Sequence, residues 1–278
     1  MGMLEGKVAF VTGAARGQGR SHAVRMAQEG ADVIAVDLCR QIDTVPYPMA
    51  TPQDLRQTVK EVEALDRRII ATEADVRDTA ALKAAVDEGV AQLGRLDIVA
   101  ANAGIASYAP VEDVTDEMWD DMIDTNLSGV FKSIRAAVPH LKANEQGGSI
   151  VITSSTAGIM GMAHLAHYVS AKHGVVGLMK VLAIELAPHM IRVNSVHPTT
   201  VDTDMVQNQG TYDLFRPDLA PGTATREDVG EAFLTLNLLP VKWVEPVDIS
   251  NAVVWLSSDL ARYVTGVQLP VDAGSLVK

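Results

Sequence analysis

The chain has 278 residues, 47% of them hydrophobic, which is enough for a substantial core and excludes a largely disordered protein. Its 23 Lys and Arg residues against 35 Asp and Glu residues give a net charge of −12, which disfavours nonspecific binding to nucleic acid or to an anionic membrane. The amino-terminal segment has no basic region of a secretory signal, and no apolar stretch approaches the ~20 residues of a membrane span. The chain has a single cysteine, which excludes an intrachain disulfide. Together these features predict a cytoplasmic protein.

Short apolar, β-branched runs alternate with longer segments of helical periodicity along the chain. The predicted strands are Lys7–Thr12, Asp32–Leu38, Arg68–Thr72, Leu96–Ala101, Ser149–Thr153, Ile191–Val196 and Gly266–Val271. The predicted helices are Gly17–Gly30, Ala80–Leu93, Glu117–Ala143, Ala163–Ala187 and Val247–Leu256. The last strand is expected at a sheet edge because Pro270 cannot donate a ladder hydrogen bond. The pattern predicts one α/β domain over residues 1–278, a Rossmann-type doubly wound parallel sheet of about seven strands with helices on both faces.

Two segments interrupt this alternation. Residues 39–52 contain three prolines and form an insert between the second and third strands. Residues 205–245 form a longer interruption that includes a predicted helix over residues 224–239. Its apolar side chains predict a mobile lid over an apolar pocket: Leu214, Phe215, Phe233, Leu236, Leu238 and Trp243.

A glycine-rich turn follows the first predicted strand. Gly13, Gly17 and Gly19 lie between that strand and a helix, where glycine allows the backbone to approach a pyrophosphate at the helix amino terminus. Asp37 ends the second strand, where a carboxylate accepts hydrogen bonds from both ribose hydroxyls and repels a 2′-phosphate. Arg16 argues weakly the other way, because a guanidinium pairs with phosphate. The turn therefore predicts dinucleotide binding, with NAD favoured over NADP.

A second group of residues predicts proton chemistry. Tyr168 and Lys172 are four residues apart on a predicted helix and so share one face, where the ammonium favours the phenolate and lowers the pKa of the tyrosine. Ser155 lies thirteen residues before Tyr168, at a predicted strand end from which its hydroxyl can bond a substrate oxygen. This set suits proton and hydride exchange at a carbinol or carbonyl carbon.

With these motifs in view, the chain resembles the short-chain dehydrogenase/reductase family over nearly its whole length. The resemblance rests on Thr12–Gly19, Asp75 with Val76, Asn102-Ala103-Gly104, Asn126, and Ser155 with Tyr168 and Lys172. It implies that Asp75 binds the adenine amino group, that Val76 flanks the ring, that Asn102-Ala103-Gly104 supports the sheet beside the cofactor, and that Asn126 holds a water in a proton relay to Lys172. It implies further cofactor contacts at Arg16, Gln18, Leu38, Tyr168, Lys172, Pro198, Val201 and Thr203, with Lys172 binding the nicotinamide ribose. It also favours Ser155 over Ser154 as the catalytic serine.

The chain is most similar to the actinobacterial branch described as carveol dehydrogenases or mycofactocin-associated dehydrogenases. The resemblance to that branch rests on TGAARGQGRSHA, the proline-bearing insert and HPTTVDTDM at 197–205. It implies an NAD that stays bound through turnover beneath the insert, an external redox partner (mycofactocin) and a homotetramer. The usual Pro-Gly after the sixth strand is Pro198-Thr199 here, which weakens the assignments of Val201 and Thr203.

The predicted activity is NAD-dependent interconversion of a hydrophobic, alicyclic or terpenoid secondary alcohol and its ketone, with Tyr168 as general base. The alternatives are a ketoreductase on acyl or steroid substrates and a non-catalytic NAD-bound sensor. No metal site is predicted. His164, His167 and His173 near Tyr168 lack partners at ligand spacing and are expected to have surface or interface roles.

Overall fold

The computed structural model describes residues 2–278 and contains one parallel sheet of seven strands. These strands are β1 Val8–Thr12, β2 Asp32–Asp37, β3 Ile69–Glu73, β4 Ile98–Ala101, β5 Gly148–Thr153, β6 Ile191–Pro198 and β7 Gln268–Val271. Their order in the sheet is β3-β2-β1-β4-β5-β6-β7, with all neighbouring pairs parallel. The predicted Rossmann-type architecture is thereby confirmed, and β7 lies at an edge as Pro270 predicts.

The helices cover both faces of the sheet. They are α1 Gly17–Gln28, α2 Pro52–Glu63, α3 Thr79–Leu93, α4 Asp116–Ile123, α5 Gly129–Ala143, α6 Ala166–Leu186, α7 Gln209–Phe215, α8 Arg226–Leu236 and α9 Pro246–Ser257. The predicted helix Glu117–Ala143 is two helices, α4 and α5, joined by a π-helical turn over Asp124–Ser128. Helices α2 and α7 are absent from the sequence-based prediction, which places no element over either segment.

Alternation along the buried strands builds two hydrophobic cores. In β1, Val8 and Phe10 pack on the side of α3, α5 and α6, whereas Ala9 and Val11 pack on the side of α1 and α9. All five residues of β1 are buried, as expected of a central parallel strand covered on both faces.

The direction in which successive strands are added to the sheet reverses between β1 and β4. After β1 it builds β2 and β3 on one side, and from β4 onward it builds outward on the other. In sheets of this kind, ligands bind at the carboxyl ends of the strands where the order reverses. Among residues 2–278, no helix combines the length and the apolar character that a membrane span requires.

Candidate active site

A single cleft at the carboxyl ends of the strands brings the two predicted groups of residues together. From the glycine turn it is lined by Gly13 and Gly17, and from α6 by Tyr168 and Lys172. Ser155, which follows β5, lies in the same lining. The other predicted cofactor contacts in this lining are Arg16, Gln18, Gly19, Asp37, Leu38, Asp75, Val76, Asn102, Ala103, Gly104, Pro198, Val201 and Thr203.

The glycine turn owes its shape to close backbone contacts. A Cβ atom on Gly19 would lie 1.9 Å from the Gly13 carbonyl oxygen, and one on Gly13 would lie 2.9 Å from Ala103 Cα. Gly13 also has a φ of +67°, which side-chain-bearing residues rarely adopt. The neighbouring turn after β4 is held by Thr12, whose Oγ1 accepts hydrogen bonds from the backbone N–H groups of Asn102 and Ala103, both 3.0 Å long. A larger residue at Gly13 or Gly19 would therefore clash with neighbouring backbone and distort the turn.

Two carboxylates mark the β2 and β3 end of the cleft. Asp37 accepts hydrogen bonds from the backbone N–H groups of Ala15 (2.9 Å) and Cys39 (3.0 Å), which fixes the carboxylate at the rim. Asp75 is paired with Arg77 at 2.9 Å. Burial raises the pKa of Asp75, but hydrogen bonds and charge from Arg77 outweigh it, so the pKa is lowered overall. Both carboxyl groups are therefore held in place at this end of the cleft.

The tyrosine, lysine and serine meet at the other end of the cleft. The Lys172 ammonium is 5.5 Å from the centre of the Tyr168 ring and donates a 2.9 Å hydrogen bond to the Thr153 carbonyl oxygen. Ser155 Oγ accepts a hydrogen bond from the Ala157 N–H at 3.1 Å, which holds the hydroxyl at the start of a short 3₁₀ turn. Ser154 instead turns away and donates to the Lys172 carbonyl oxygen at 3.0 Å. Both serines line the cleft, but the Ser154 hydroxyl is committed to the main chain of α6, which leaves the Ser155 hydroxyl as the one that can donate to a substrate.

Asn126 is held by the π-helical turn between α4 and α5. Its Oδ1 accepts from the Ile105 N–H at 2.8 Å and its Nδ2 donates to the Ile105 carbonyl oxygen at 2.9 Å. A Cβ atom on Gly104 would lie 3.3 Å from Asn126 Oδ1 and 3.7 Å from Lys172 Nζ, so this glycine fills the narrow gap between the two side chains. π-helical turns are frequent at functional sites because they re-aim a few side chains within a helix.

Burial controls the ionisation of the pair on α6. It raises the pKa of Tyr168 to about 12, although hydrogen bonding to the Ser155 side chain acts in the opposite direction. It lowers the pKa of Lys172 to about 8. The direction at Tyr168 is opposite to the lowering that the Tyr–Lys spacing predicts, because the removal of the phenolate from water is the largest effect on its pKa.

The predicted surface or interface role of His167 is wrong. This side chain is fully buried, and its Nε2 lies 2.8 Å from Ser107 Oγ in the loop after β4. Helix α6 is buried along much of its length, so a histidine beside Tyr168 faces the interior. Within the described part of the chain, no group of three His, Cys, Asp or Glu side chains is placed to hold a metal ion.

The insert is an ordered loop fixed by one of its own side chains. Gln41 Nε2 donates to the carbonyl oxygens of Ile42 and Val45, both at 3.0 Å, and of Tyr47 at 3.3 Å. Gln41 Oε1 accepts from the Met49 N–H at 3.1 Å. The Gln41 amide thus connects four main-chain positions of a segment that has no regular secondary structure. We call this set of hydrogen bonds the Gln41 staple.

The insert extends as far as the catalytic end of the cleft. Tyr47 is buried, and its hydroxyl accepts a 3.0 Å hydrogen bond from the Ala106 N–H. Tyr47 belongs to an apolar cluster, with Ile42, Ile105 and other residues, against which Tyr168 and Met205 pack. The sequence places the insert only over the adenosine, and the proline pattern carries no signal for this second contact.

The loop after β6 contacts the segment before α9. Val201 forms an isolated parallel bridge with Val244, and Thr199 Oγ1, which replaces the usual glycine, donates to Asn237 Oδ1 at 3.4 Å. A Cβ atom on Gly17 would lie 3.4 Å from Thr203 Cγ2, so the loop reaches the glycine turn. The threonine at 199 is therefore compatible with a loop that still lines the cleft.

The lid residues have a different role from the predicted one. Phe215 and Phe233 stack edge to face at 4.8 Å, and Trp243 lies under the Arg226 guanidinium at 4.5 Å. None of the six predicted apolar residues lines the cleft, and Leu238 is 59% exposed. They build the inner core and the outer surface of the lid, whereas the lid residues in the cleft lining are Met205 and Val206.

The comparisons with known proteins agree with this geometry. Residues 7–213 match the family model described as short chain dehydrogenase, and the chain belongs to that family. It is 56% identical over 279 residues to the (−)-trans-carveol dehydrogenase of Rhodococcus erythropolis, covering 100% of both chains. The resemblance to this actinobacterial branch is thereby confirmed.

Solved structures show the same likeness. The carveol dehydrogenase of Mycobacterium avium, crystallised in complex with NAD, has a TM-score of 0.98 at 55% identity, with 100% of both chains covered. A short chain dehydrogenase from Mycobacterium paratuberculosis, bound to NAD, has a TM-score of 0.89 at 46% identity, again with 100% of both chains covered.

Proposed function

We propose that the protein is an NAD-dependent alcohol dehydrogenase that interconverts a hydrophobic secondary alcohol and its ketone. The observation that carries this proposal is that one cleft is lined both by the glycine turn and by Tyr168, Lys172 and Ser155. The names of the relatives, two carveol dehydrogenases, favour an alicyclic or terpenoid substrate.

The residues of the cleft fit NAD. The tightly packed glycine turn lines the cleft at the start of α1, where a helix amino terminus suits a pyrophosphate. Asp37 presents a carboxylate at the end of β2, where it can bind an adenosine ribose. Two buried polar atoms on the cleft residues, Gln18 Oε1 and Thr125 Oγ1, have no protein partner and suit a polar ligand. NAD, when bound, supplies the hydride acceptor.

The protein's own groups handle the proton. Tyr168 takes the proton from the alcohol oxygen during oxidation and returns it during reduction, while the Ser155 hydroxyl holds that oxygen in place. Lys172, together with the positive charge of the oxidised cofactor, favours the phenolate that burial alone disfavours. Asn126 fixes the loop after β4 through its bond with the Ile105 N–H. We propose that a water held near Asn126 passes the proton between Lys172 and solvent.

The character of the lining supports a hydrophobic substrate. Apolar side chains of the insert, the loop after β4 and the lid line the cleft: Ile42, Met49, Ile105, Met205 and Val206. Arg16, the arginine of this lining, is paired with Asp204 at 2.9 Å. A substrate carboxylate or phosphate would therefore have to compete with that ion pair.

Oxidation of a panel of alcohols by the purified protein tests the proposal. Cyclic and terpenoid secondary alcohols should be oxidised with NAD and an artificial electron acceptor, and acyl-thioester and steroid ketones should be reduced more slowly. A preference for acyl or steroid ketones would favour the ketoreductase alternative. A protein that binds NAD but is inert across the panel would favour the sensor.

We further propose that NAD stays bound through turnover and that electrons leave to an external redox partner such as mycofactocin. The ordered insert, stapled by Gln41, supports retention because the cofactor would have to displace it to leave. Protein purified without added nucleotide should release NAD or NADH on denaturation. Protein that releases neither would contradict retention without affecting the proposed reaction.

A further inference from the structure

A histidine outside the predicted site lies directly behind Ser155. His197 is on β6 and has no exposed surface. Its Nδ1 lies 2.7 Å from the Ser155 carbonyl oxygen, and its Nε2 lies 2.9 Å from Ser195 Oγ. The imidazole therefore bridges the main chain of the serine that follows β5 and a hydroxyl on its own strand.

The partners determine where the proton of this imidazole is. A carbonyl oxygen only accepts hydrogen bonds, so Nδ1 must carry the hydrogen and donate it to Ser155. Nε2 of the neutral ring is then an acceptor, and the Ser195 hydroxyl must donate to it. Burial lowers the pKa of His197, which is consistent with a neutral ring. The result is a directed chain in which Ser195 sets the tautomer of His197 and His197 holds Ser155.

The main chain at Ser155 needs such support because the sheet ladder ends one residue earlier. The Ser154 N–H donates to the Val196 carbonyl oxygen at 2.9 Å, and beyond it the chain leaves the sheet for the 3₁₀ turn Thr156–Gly158. The Ser155 carbonyl oxygen then accepts two hydrogen bonds, from the Gly158 N–H at 2.9 Å and from His197. Of these two, the bond from His197 is the one that ties Ser155 to the neighbouring strand.

We infer that His197, oriented by Ser195, is a positioning residue that fixes the main chain of Ser155 and so aims the Ser155 hydroxyl at the substrate oxygen. The inference rests on the proposed function, which makes that hydroxyl a substrate contact. His197 itself does not line the cleft. A small displacement of a positioning group costs up to about a hundredfold in rate, so the effect should fall on turnover.

Two substitutions of His197 separate positioning from packing. In His197→Asn the amide nitrogen takes the place of Nδ1 and keeps a donor for the Ser155 carbonyl oxygen. In His197→Gln the amide reaches the place of Nε2, which keeps a partner for Ser195 but leaves Ser155 unsupported. We expect kcat within about threefold of the wild type for His197→Asn and a loss of about ten- to a hundredfold for His197→Gln, with similar Kd for NAD in both.

A matched control is His22→Gln, because His22 is also fully buried and also bonds a serine, Ser250, at 2.8 Å. It should lower the melting temperature and leave kcat unchanged. Ser195→Ala frees the tautomer of His197 and should lower kcat less than His197→Gln. Equal kcat values in His197→Asn and His197→Gln, or losses of kcat that follow the melting temperature across all variants, would overturn the inference.

Crystal structures of the two His197 variants provide a readout that does not depend on turnover. Ser155 should keep its place in His197→Asn and shift in His197→Gln. An unmoved Ser155 in His197→Gln would overturn the inference even if the protein is active. A wild-type protein that oxidises no alcohol would contradict the proposed function alone, since the displacement of Ser155 would still be measurable.

Discussion

For single residues of the cleft, the sequence predicts which side chains come together but not how they ionise. The spacing of Tyr168 and Lys172 places both on one side of α6, and the structure brings them to the same cleft as the glycine turn. Their ionisation was not predictable from spacing, because it depends on burial, and Tyr168 packs against an apolar cluster that includes Ile42 and Tyr47 of the insert. The role of His197 was not predictable either, because its partner Ser155 is forty-two residues away in the chain.

The charge of Asp37 should determine the choice of cofactor. Asp37→Asn removes the repulsion of a 2′-phosphate and keeps an acceptor for one of the two N–H groups, those of Ala15 and Cys39, that bond separate oxygens of the carboxylate. We expect the ratio of the Kd for NADP to the Kd for NAD to fall by at least about tenfold, since one unit of charge is removed at contact distance. Isothermal titration with both nucleotides measures this ratio, and an unchanged ratio would place the ribose elsewhere.

Buried His22 should make stability depend on pH. Burial lowers its pKa from 6.5 to about 4, so the unfolded chain takes up a proton at a higher pH than the folded one. Its contribution is complete above pH 6.5 and is lost as the pH falls from 6.5 towards 4, by up to about 3 kcal/mol.

Urea unfolding at several pH values compares the wild type with His22→Gln, which has no titrating group at this position. The wild type should lose more stability than the variant between pH 6.5 and 4. Parallel pH profiles in the two proteins would show that His22 does not contribute in this way.

At the scale of elements, the sequence predicted the strands and most helices but missed helices that begin at short local signals. Helix α2 begins with a capping box in which Thr51 accepts from the Asp54 N–H and Asp54 accepts from the Thr51 N–H, with Pro52 in the first turn. The sequence-based reading assigned that proline to the insert. The π-helical turn at Asn126 has no sequence signature, because it depends on the bonds between Asn126 and Ile105.

Loss of the Gln41 staple should open the insert. Gln41→Ala removes the hydrogen bonds that connect Gln41 to Ile42, Val45, Tyr47 and Met49, and we expect NAD to dissociate at least about tenfold faster. Stopped-flow displacement of bound NADH measures this rate. Gln57→Ala is the matched control, because Gln57 bonds only Glu61 on the exposed face of α2. Equal dissociation rates in the two variants would separate the insert from retention.

At the scale of the whole molecule, the exposed apolar surface supports association of subunits. Val181 and Ile184, which is 76% exposed, lie on the outer face of α6, and Phe131 lies exposed on α5. An unpaired apolar face of this kind is typical of an interface between copies. We propose the homotetramer that the family resemblance implies.

Sedimentation velocity tests the oligomeric state. The wild type should sediment as a tetramer at micromolar concentration, and Ile184→Glu should dissociate it, because a carboxylate would be buried without a partner. A wild type that sediments as a monomer would contradict the proposed assembly and leave the site unaffected.

The rate of hydride transfer in the Tyr168→Phe variant tests most directly the claim that Tyr168 handles the proton. The hydroxyl is the only group of Tyr168 that this substitution removes, so the apolar packing of the ring beside the insert is kept. We predict that Tyr168→Phe binds NAD with the affinity of the wild type and oxidises a cyclic secondary alcohol about 10²- to 10⁴-fold more slowly in single-turnover measurements. An unchanged rate of hydride transfer would show that this phenol does not handle the proton and would contradict the account.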